Sequence, residues 1–129
     1  MNNNGNGAVD PKLLAEWFWT DRWMGSRGFM LPLEPRGLYR EMLTQAWRRA
    51  TRIGRPELPN SPEAIRRCTG ATMQEWRRSW PIVKKFWRVD GHWLVNDTQL
   101  EVYAECKARQ ESMTNRAIKA AAARWASHA

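Results

Sequence analysis

The sequence predicts a mainly α fold with a small β-hairpin, which places the chain in the α+β class. Apolar residues recur every three or four positions after Pro35, and capping signals bound two further helices between Ser61 and Phe86. In addition, Asp90-Gly91 separates two short runs with a period of two. The 129 residues suffice for one domain, and nine tryptophans supply apolar area for its core.

The first fifty residues divide into a tail, an aromatic segment and a helix. Residues 1–11 are rich in Asn and Gly, so we expect a disordered tail, followed by a folded domain over residues 12–106. AEWFWTDRWM (15–24) is predicted to be a strand or a short helix laid across the core. The first firm helix is predicted to begin near Pro35 and to end near Trp47–Ala50.

The segment RRATRIGRPELPN, residues 48–60, is predicted to be a loop. Its glycine and two prolines are helix breakers, and a single glutamate accompanies four arginines. These arginines are Arg48, Arg49, Arg52 and Arg55. We expect flexible charge here, which attracts polyanions without reading a sequence.

The next segment, SPEAIRRCTG, predicts a short helix over residues 61–70. Ser61 is a candidate N-cap, and Gly70 stands where a glycine commonly terminates a helix. The helix is predicted to bury Ala64, Ile65 and Cys68.

A capping box formed by Thr72 and Glu75 predicts a third helix that continues to about Phe86. Pro81 removes one intrahelical hydrogen bond and should kink or interrupt this helix. Five apolar residues recur at helical spacing, so we expect them to form one stripe that faces the core. They are Met73, Trp76, Trp80, Val83 and Trp87.

Asp90-Gly91 is a signal for a two-residue hairpin. In the predicted register Val89 pairs with His92 and Trp87 with Leu94, while Arg88 and Trp93 share the other face.

A second capping box, Thr98 to Glu101, is predicted to start a long helix. Residues 107–129 are predicted to be its basic, Ala-rich extension. A helix pair on a tight turn followed by a two-stranded ribbon predicts a winged helix-turn-helix.

The net charge of +8 makes a polyanion the natural partner, with nucleic acid first and an anionic membrane second. The alternative is that the positive charge serves solubility alone.

Cys68, Cys106, His92 and His128 have no metal-binding spacing, so we expect neither metal nor cofactor. The N-terminus lacks the features of a signal peptide and no apolar run is long enough to span a membrane, so we expect a cytoplasmic protein. Motifs of phosphate loops, zinc proteases and serine hydrolases are absent, so we do not expect an enzyme.

Three stretches resemble the YdaU-type domain of phages and prophages. They are WTDRWMGSRGFMLPLEPRGLYREMLTQAW, TMQEWRRSWPIVKKFWRVDGHWLVND and AAAARW, and the resemblance covers about residues 17–125. The family is similar to the winged-helix N-terminal domains of phage replication initiators and replisome organisers, which implies DNA binding. The chain departs from the family at Pro32, where a Ser or Thr cap is common, and in its arginine-rich loop at residues 48–60. Because the tail ends soon after Trp125, we expect no second domain for contacting a helicase or its loader.

The candidate DNA contacts are cations and one aromatic residue. Those predicted on the outer face of the third helix are Arg77, Arg78, Lys84 and Lys85, and those on the short helix are Arg66 and Arg67. Arg88 and Trp93 are candidates for a wing that enters a groove or stacks on a base, the alternative being Arg88 lying over a packed Trp93. Arg116, Lys119 and Arg124 could extend the footprint or mark a partner-binding helix. For each set, a solvated basic surface is the alternative.

The sequence therefore predicts a phage-derived protein that binds duplex DNA in replication initiation or transcriptional control, inside the bacterial host. The alternative is a protein-interaction module. Such a module would dock a replisome protein or helicase loader, self-associate through the C-terminal helix, or inhibit a host enzyme. Ile118 and Trp125 favour this alternative because both are apolar so late in the chain.

Overall fold

The computed structural model describes residues 26–127, and the predictions for the tail and for the aromatic segment lie outside them. The chain is mostly helical with one small antiparallel sheet, as the α+β prediction requires. In chain order the elements are α1 (Leu33–Ile53), β1 (Leu58–Pro59), α2 (Pro62–Thr69), α3 (Met73–Val83), a 3-10 turn (Lys84–Phe86), β2 (Arg88–Asp90), β3 (Trp93–Val95) and α4 (Asp97–Ser127).

Helix α1 is longer than predicted. It follows Pro32, which offers no side-chain cap, and it ends at Gly54, whose φ of 91° and N–H bond to the Ala50 carbonyl (2.8 Å) terminate the helix. No glycine or proline stands between residues 48 and 53, so the helix continues through the first six residues of the predicted loop. The prediction of a flexible loop from residue 48 was therefore wrong for Arg48, Arg49 and Arg52, which lie on α1.

Helix α2 has the predicted caps but buries less than predicted. The Ser61 hydroxyl accepts a bond from the Ala64 N–H (3.3 Å), and Gly70 has a φ of 81°. Ile65 is fully buried, whereas Cys68 is exposed. The prediction that Cys68 is buried was wrong because this two-turn helix packs on the body through one narrow face.

Helix α3 begins with the predicted capping box, in which Thr72 and Glu75 exchange bonds of 2.8 Å and 3.1 Å. Trp76 and Val83 are buried, and the ring of Trp80 stacks on that of Trp76 at 4.7 Å. The predicted stripe is wrong at its first member. Met73 is 42% exposed, and Ala71, just before the cap, packs on the core there instead.

Pro81 does not interrupt α3. The helix continues to Val83, and the chain then tightens into the 3-10 turn before Trp87 enters the core in an extended conformation. Pro81 itself is exposed on the helix surface.

The sheet has three strands in the order β1-β3-β2. Strand β1 was not predicted, because it is two residues long and contains Pro59. The predicted hairpin register was wrong by two residues: Val89 pairs with Leu94 and Asp90 with Trp93, so the loop is Gly91-His92. Gly91 has a φ of 64° and His92 a negative φ, the combination found in type II′ turns.

Helix α4 begins earlier than predicted. The Asn96 side-chain oxygen accepts the Gln99 N–H (2.8 Å), and the Asn96 carbonyl accepts the Leu100 N–H (2.9 Å), so Asn96 is the N-cap. The prediction of a capping box at Thr98 was therefore wrong.

The first three turns of α4 complete the core. Val102, Tyr103 and Cys106 are buried, and the ring of Tyr103 meets that of Trp47 edge to face at 5.6 Å. Every residue from Glu111 to Ala120 is exposed. Within residues 26–127, no helix combines the length and apolar composition that a membrane crossing requires.

Candidate nucleic-acid interface

Three predicted DNA contacts lie on α3 and on the turn that follows it. Arg77 is on the exposed side of the helix, and Lys84 and Lys85 are exposed on the 3-10 turn that follows. The buried residues Trp76 and Val83 fix the opposite side of this segment against the core. Lys85 also lies 5.7 Å from the centre of the Phe86 ring, which partly orients its ammonium group.

Arg78 belongs to a different environment from its neighbour Arg77. Its guanidinium donates two parallel bonds to the Glu34 carboxylate at the start of α1, both 2.9 Å long. The Arg78 hydrogen bond lowers the pKa of Glu34, and Glu34 in turn raises the pKa of Arg78. This bidentate pair fixes α3 to α1, so Arg78 would have to exchange a carboxylate for a phosphate in order to bind DNA.

Arg88 and Trp93 do not form the pair that the sequence predicted. Arg88 is bonded to Asp97 in the first turn of α4, with the shortest contact 2.9 Å, and this bond raises the pKa of Arg88. The cation over the Trp93 ring is Arg49 from α1, 4.9 Å from the ring centre. The alternative in which Arg88 lies over Trp93 was therefore wrong, and the half-buried Trp93 already has one face covered by Arg49.

Arg55 attaches the hairpin to the rest of the body. Its guanidinium bonds to Glu57 (2.8 Å) and to Asp90 at the tip of β2 (2.9 Å). Burial alone would lower the pKa of Arg55, but the bonds to Asp90 and Glu57 raise it. Beside this contact, the Asn60 N–H donates to the His92 carbonyl (2.9 Å). Arg55 is thus a structural cation rather than the flexible one predicted.

A second basic area is formed by the end of α1 and by α2. Arg48 and Arg52 are exposed on α1, Arg67 is exposed on α2, and Arg66 is half-buried. Arg66 and Arg67 border a small open cavity of about 220 Å³ together with Glu63. Although Cys68 is exposed as a residue, partial desolvation of its thiol raises the pKa, and the thiol donates to the Ile65 carbonyl (3.4 Å).

The remaining candidates lie on the part of α4 beyond the core. Arg116, Lys119 and Arg124 are exposed there. Arg109 is a further exposed cation two turns before Arg116, and it was not among the predicted contacts. All of these residues lie on a different helix from Arg77.

The arrangement can provide electrostatic contact with a polyanion. Across residues 26–127, no group of three or more His, Cys, Asp or Glu side chains is placed to hold a metal ion.

Comparisons of the whole chain found no matching protein-family model, no matching curated protein and no matching solved structure. The resemblance to the YdaU-type domain stays a prediction.

Proposed function

We propose that this chain is a winged-helix protein that binds duplex DNA through Arg77, Lys84 and Lys85. One observation carries the proposal. These three cations are exposed together on one segment and make no ion pair within residues 26–127, whereas Arg78 and Arg88 are each neutralised by a carboxylate. Cations without carboxylate partners are available to replace the counterions of a phosphate backbone.

The order of the elements supports this proposal. Helices α2 and α3 are joined by the tight turn Gly70–Thr72, as in a helix-turn-helix, and a hairpin follows α3 directly. Strand β1 adds to β3 at the other edge of the hairpin, so the ribbon belongs to a three-stranded sheet. In such proteins the second helix of the pair enters the major groove. The resemblance to phage replication proteins favours a role in replication initiation over transcriptional control.

The carboxylate pairs reduce the expected footprint. Because Arg78 and Arg88 are each held by a carboxylate, the three available cations predict a slope near −2.7 for log K against log salt. Contacts from Arg48, Arg52 or Arg67 would make the slope steeper by about 0.9 each. The salt dependence therefore counts the cations that DNA engages.

The test is fluorescence anisotropy with a labelled duplex at several salt concentrations. We expect the triple variant Arg77→Ala/Lys84→Ala/Lys85→Ala to bind at least tenfold more weakly and with a slope close to zero. Arg78→Ala is the matched control, because it removes a neighbouring cation that already has a carboxylate partner. Full binding by the triple variant, or an equal loss in both variants, would contradict the proposal.

An interaction module is the second candidate function. The observation that favours it is the exposure of Ile118 (61%) and Trp125 (79%) on a helix that has left the core. Large exposed apolar residues near each other mark protein-interaction sites.

A further inference from the structure

An open groove of about 650 Å³ lies between α1, α3 and the turn that joins α2 to α3. Gly37 is on its α1 wall, and a Cβ atom built at Gly37 would meet no atom within 4 Å. Leu38 and Ala71 add apolar surface, and Leu33 at one end is 75% exposed. The groove therefore combines a mixed polar and apolar lining with a wall whose backbone a second chain can approach closely.

The groove is acidic although the chain as a whole is basic. Three glutamates line it and one arginine opposes them: Glu34, Glu41, Glu75 and Arg40. Glu34 is paired with Arg78, and one oxygen of Glu75 accepts the Thr72 N–H. Glu41 makes no ion pair within residues 26–127, so it is the carboxylate best able to accept a cation from outside. An occupant should therefore be apolar and positively charged.

The projecting part of α4, residues 107–127, has that chemistry. It is about 30 Å long at 1.5 Å per residue, and it carries five cations against Glu111. Ile118 and Trp125 stand two turns apart and so share one side of the helix, while Arg109, Arg116 and Lys119 occupy another side. Met113 is also exposed, at 63%. Ile118 and Trp125 therefore expose apolar surface on one side of the last turns, whereas Glu111 lies on that same side and Met113 on the basic side.

We infer that the groove between α1 and α3 receives the projecting part of α4 from a second copy of this chain. Ile118 and Trp125 would cover Leu33 and the surface at Gly37, and the basic side of the helix would meet Glu41. This inference does not depend on the proposed DNA binding, because it uses none of Arg77, Lys84 and Lys85.

The area available is on the scale that a specific dimer needs. A tryptophan buries roughly 150–250 Å², and a reciprocal exchange of helices buries Trp125 twice. With Ile118 and Leu33 from each copy, the total approaches the roughly 1,000 Å² of a biological interface. Reciprocal exchange also closes the assembly at two copies, because each copy offers one groove and one helix.

The test is sedimentation velocity of the full chain at several protein concentrations and two salt concentrations, without DNA. We expect a concentration-dependent dimer that dissociates at least tenfold more readily at high salt. Gly37→Leu should fill the groove and Trp125→Ala should remove the apolar anchor, so each should give a monomer. Gly37→Ala is the matched control and should dimerise. Circular dichroism establishes that each variant is folded, which we expect because Gly37 faces open space.

Mixing the two monomeric variants identifies the occupant. The intact helix of the Gly37→Leu protein should dock in the intact groove of the Trp125→Ala protein, so the mixture should form a weak heterodimer that neither variant forms alone. A Gly37→Leu protein that dimerises like the wild type would show that α4 pairs with α4 instead, and it would overturn the inference. A wild-type chain that stays monomeric at its highest soluble concentration would overturn it as well.

Discussion

The buried Asn96 side chain connects three elements, and its removal should be among the most costly single changes in this chain. Its amide group donates to the Tyr39 hydroxyl and to the Phe86 carbonyl, both at 2.9 Å, while its oxygen caps α4. Asn96 is 3% exposed, so water cannot replace these bonds without rearrangement. Loss of a cap costs about 1 kcal/mol, and each buried group left without a partner costs about 1–3 kcal/mol.

We therefore expect Asn96→Ala to lower the free energy of unfolding by about 3 kcal/mol. Thr98→Ala is the matched control: the sequence made Thr98 the cap, but the structure gives it no capping role, so the change should stay within about 0.5 kcal/mol. Asn96→Asp separates the two functions of the side chain, since it keeps the capping oxygen and loses the amide donor. Urea denaturation followed by circular dichroism measures all three. A Thr98→Ala loss as large as that of Asn96→Ala would refute the assignment of the cap.

Three further predictions concern the helices. Pro81→Ala should raise the free energy of unfolding by about 1 kcal/mol or more, because it restores an N–H donor inside α3. An unchanged urea midpoint would contradict this prediction and would show that Pro81 costs α3 no stability. Gly70→Ala should lower the free energy of unfolding by about 1–2 kcal/mol because Gly70 has a φ of 81°. Gly37→Ala, inside α1, should raise it by about 0.5–1 kcal/mol. Equal effects of the two substitutions would contradict the assignment of Gly70 as the residue that ends α2. The pKa of Glu34 is lowered in the folded state, so the Glu34 carboxylate should stabilise the fold at pH values above its ordinary pKa of 4.5. This stabilisation should be lost as the pH falls through the lower pKa of the folded state. Glu34→Gln should remove this part of the acid sensitivity, as measured by urea midpoints across the acid range.

The local signals in the sequence predicted helix ends well wherever one candidate stood alone. Ser61, Gly70 and the capping box at Thr72 are each the only strong signal in their stretch, and each is used as predicted. Asn96 and Thr98 are two plausible caps within three residues. The choice between them depends on Tyr39 and on the Phe86 carbonyl, which no local pattern reveals.

The candidate site was less predictable because ion pairs join distant parts of the chain. Arg77 and Arg78 are equivalent in the sequence, yet Glu34, which is 44 positions away, neutralises only Arg78. Likewise, the contact of Arg49 with Trp93 requires α1 to extend past Ala50 and to pass beside the hairpin. Helical periodicity identified Trp76 and Val83 as buried on α3, but it carries no information about which exposed cations have partners.

The sheet order has a consequence for how the chain assembles. Strand β3 lies between β1 and β2, and Leu58 of β1 pairs with Leu94 of β3. The segment between these two residues contains both α2 and α3, so it must be closed into a loop before the pair can form. The β2–β3 hairpin is local and can form quickly, whereas the β1–β3 pairing bears the loop-closure entropy of the whole intervening segment. A nascent chain that has not yet reached Trp93 presents β1 as an open edge without its β3 partner. Attachment of that edge is therefore expected to be a late event, and it is also the step that brings Asn60 and Arg55 to the hairpin tip.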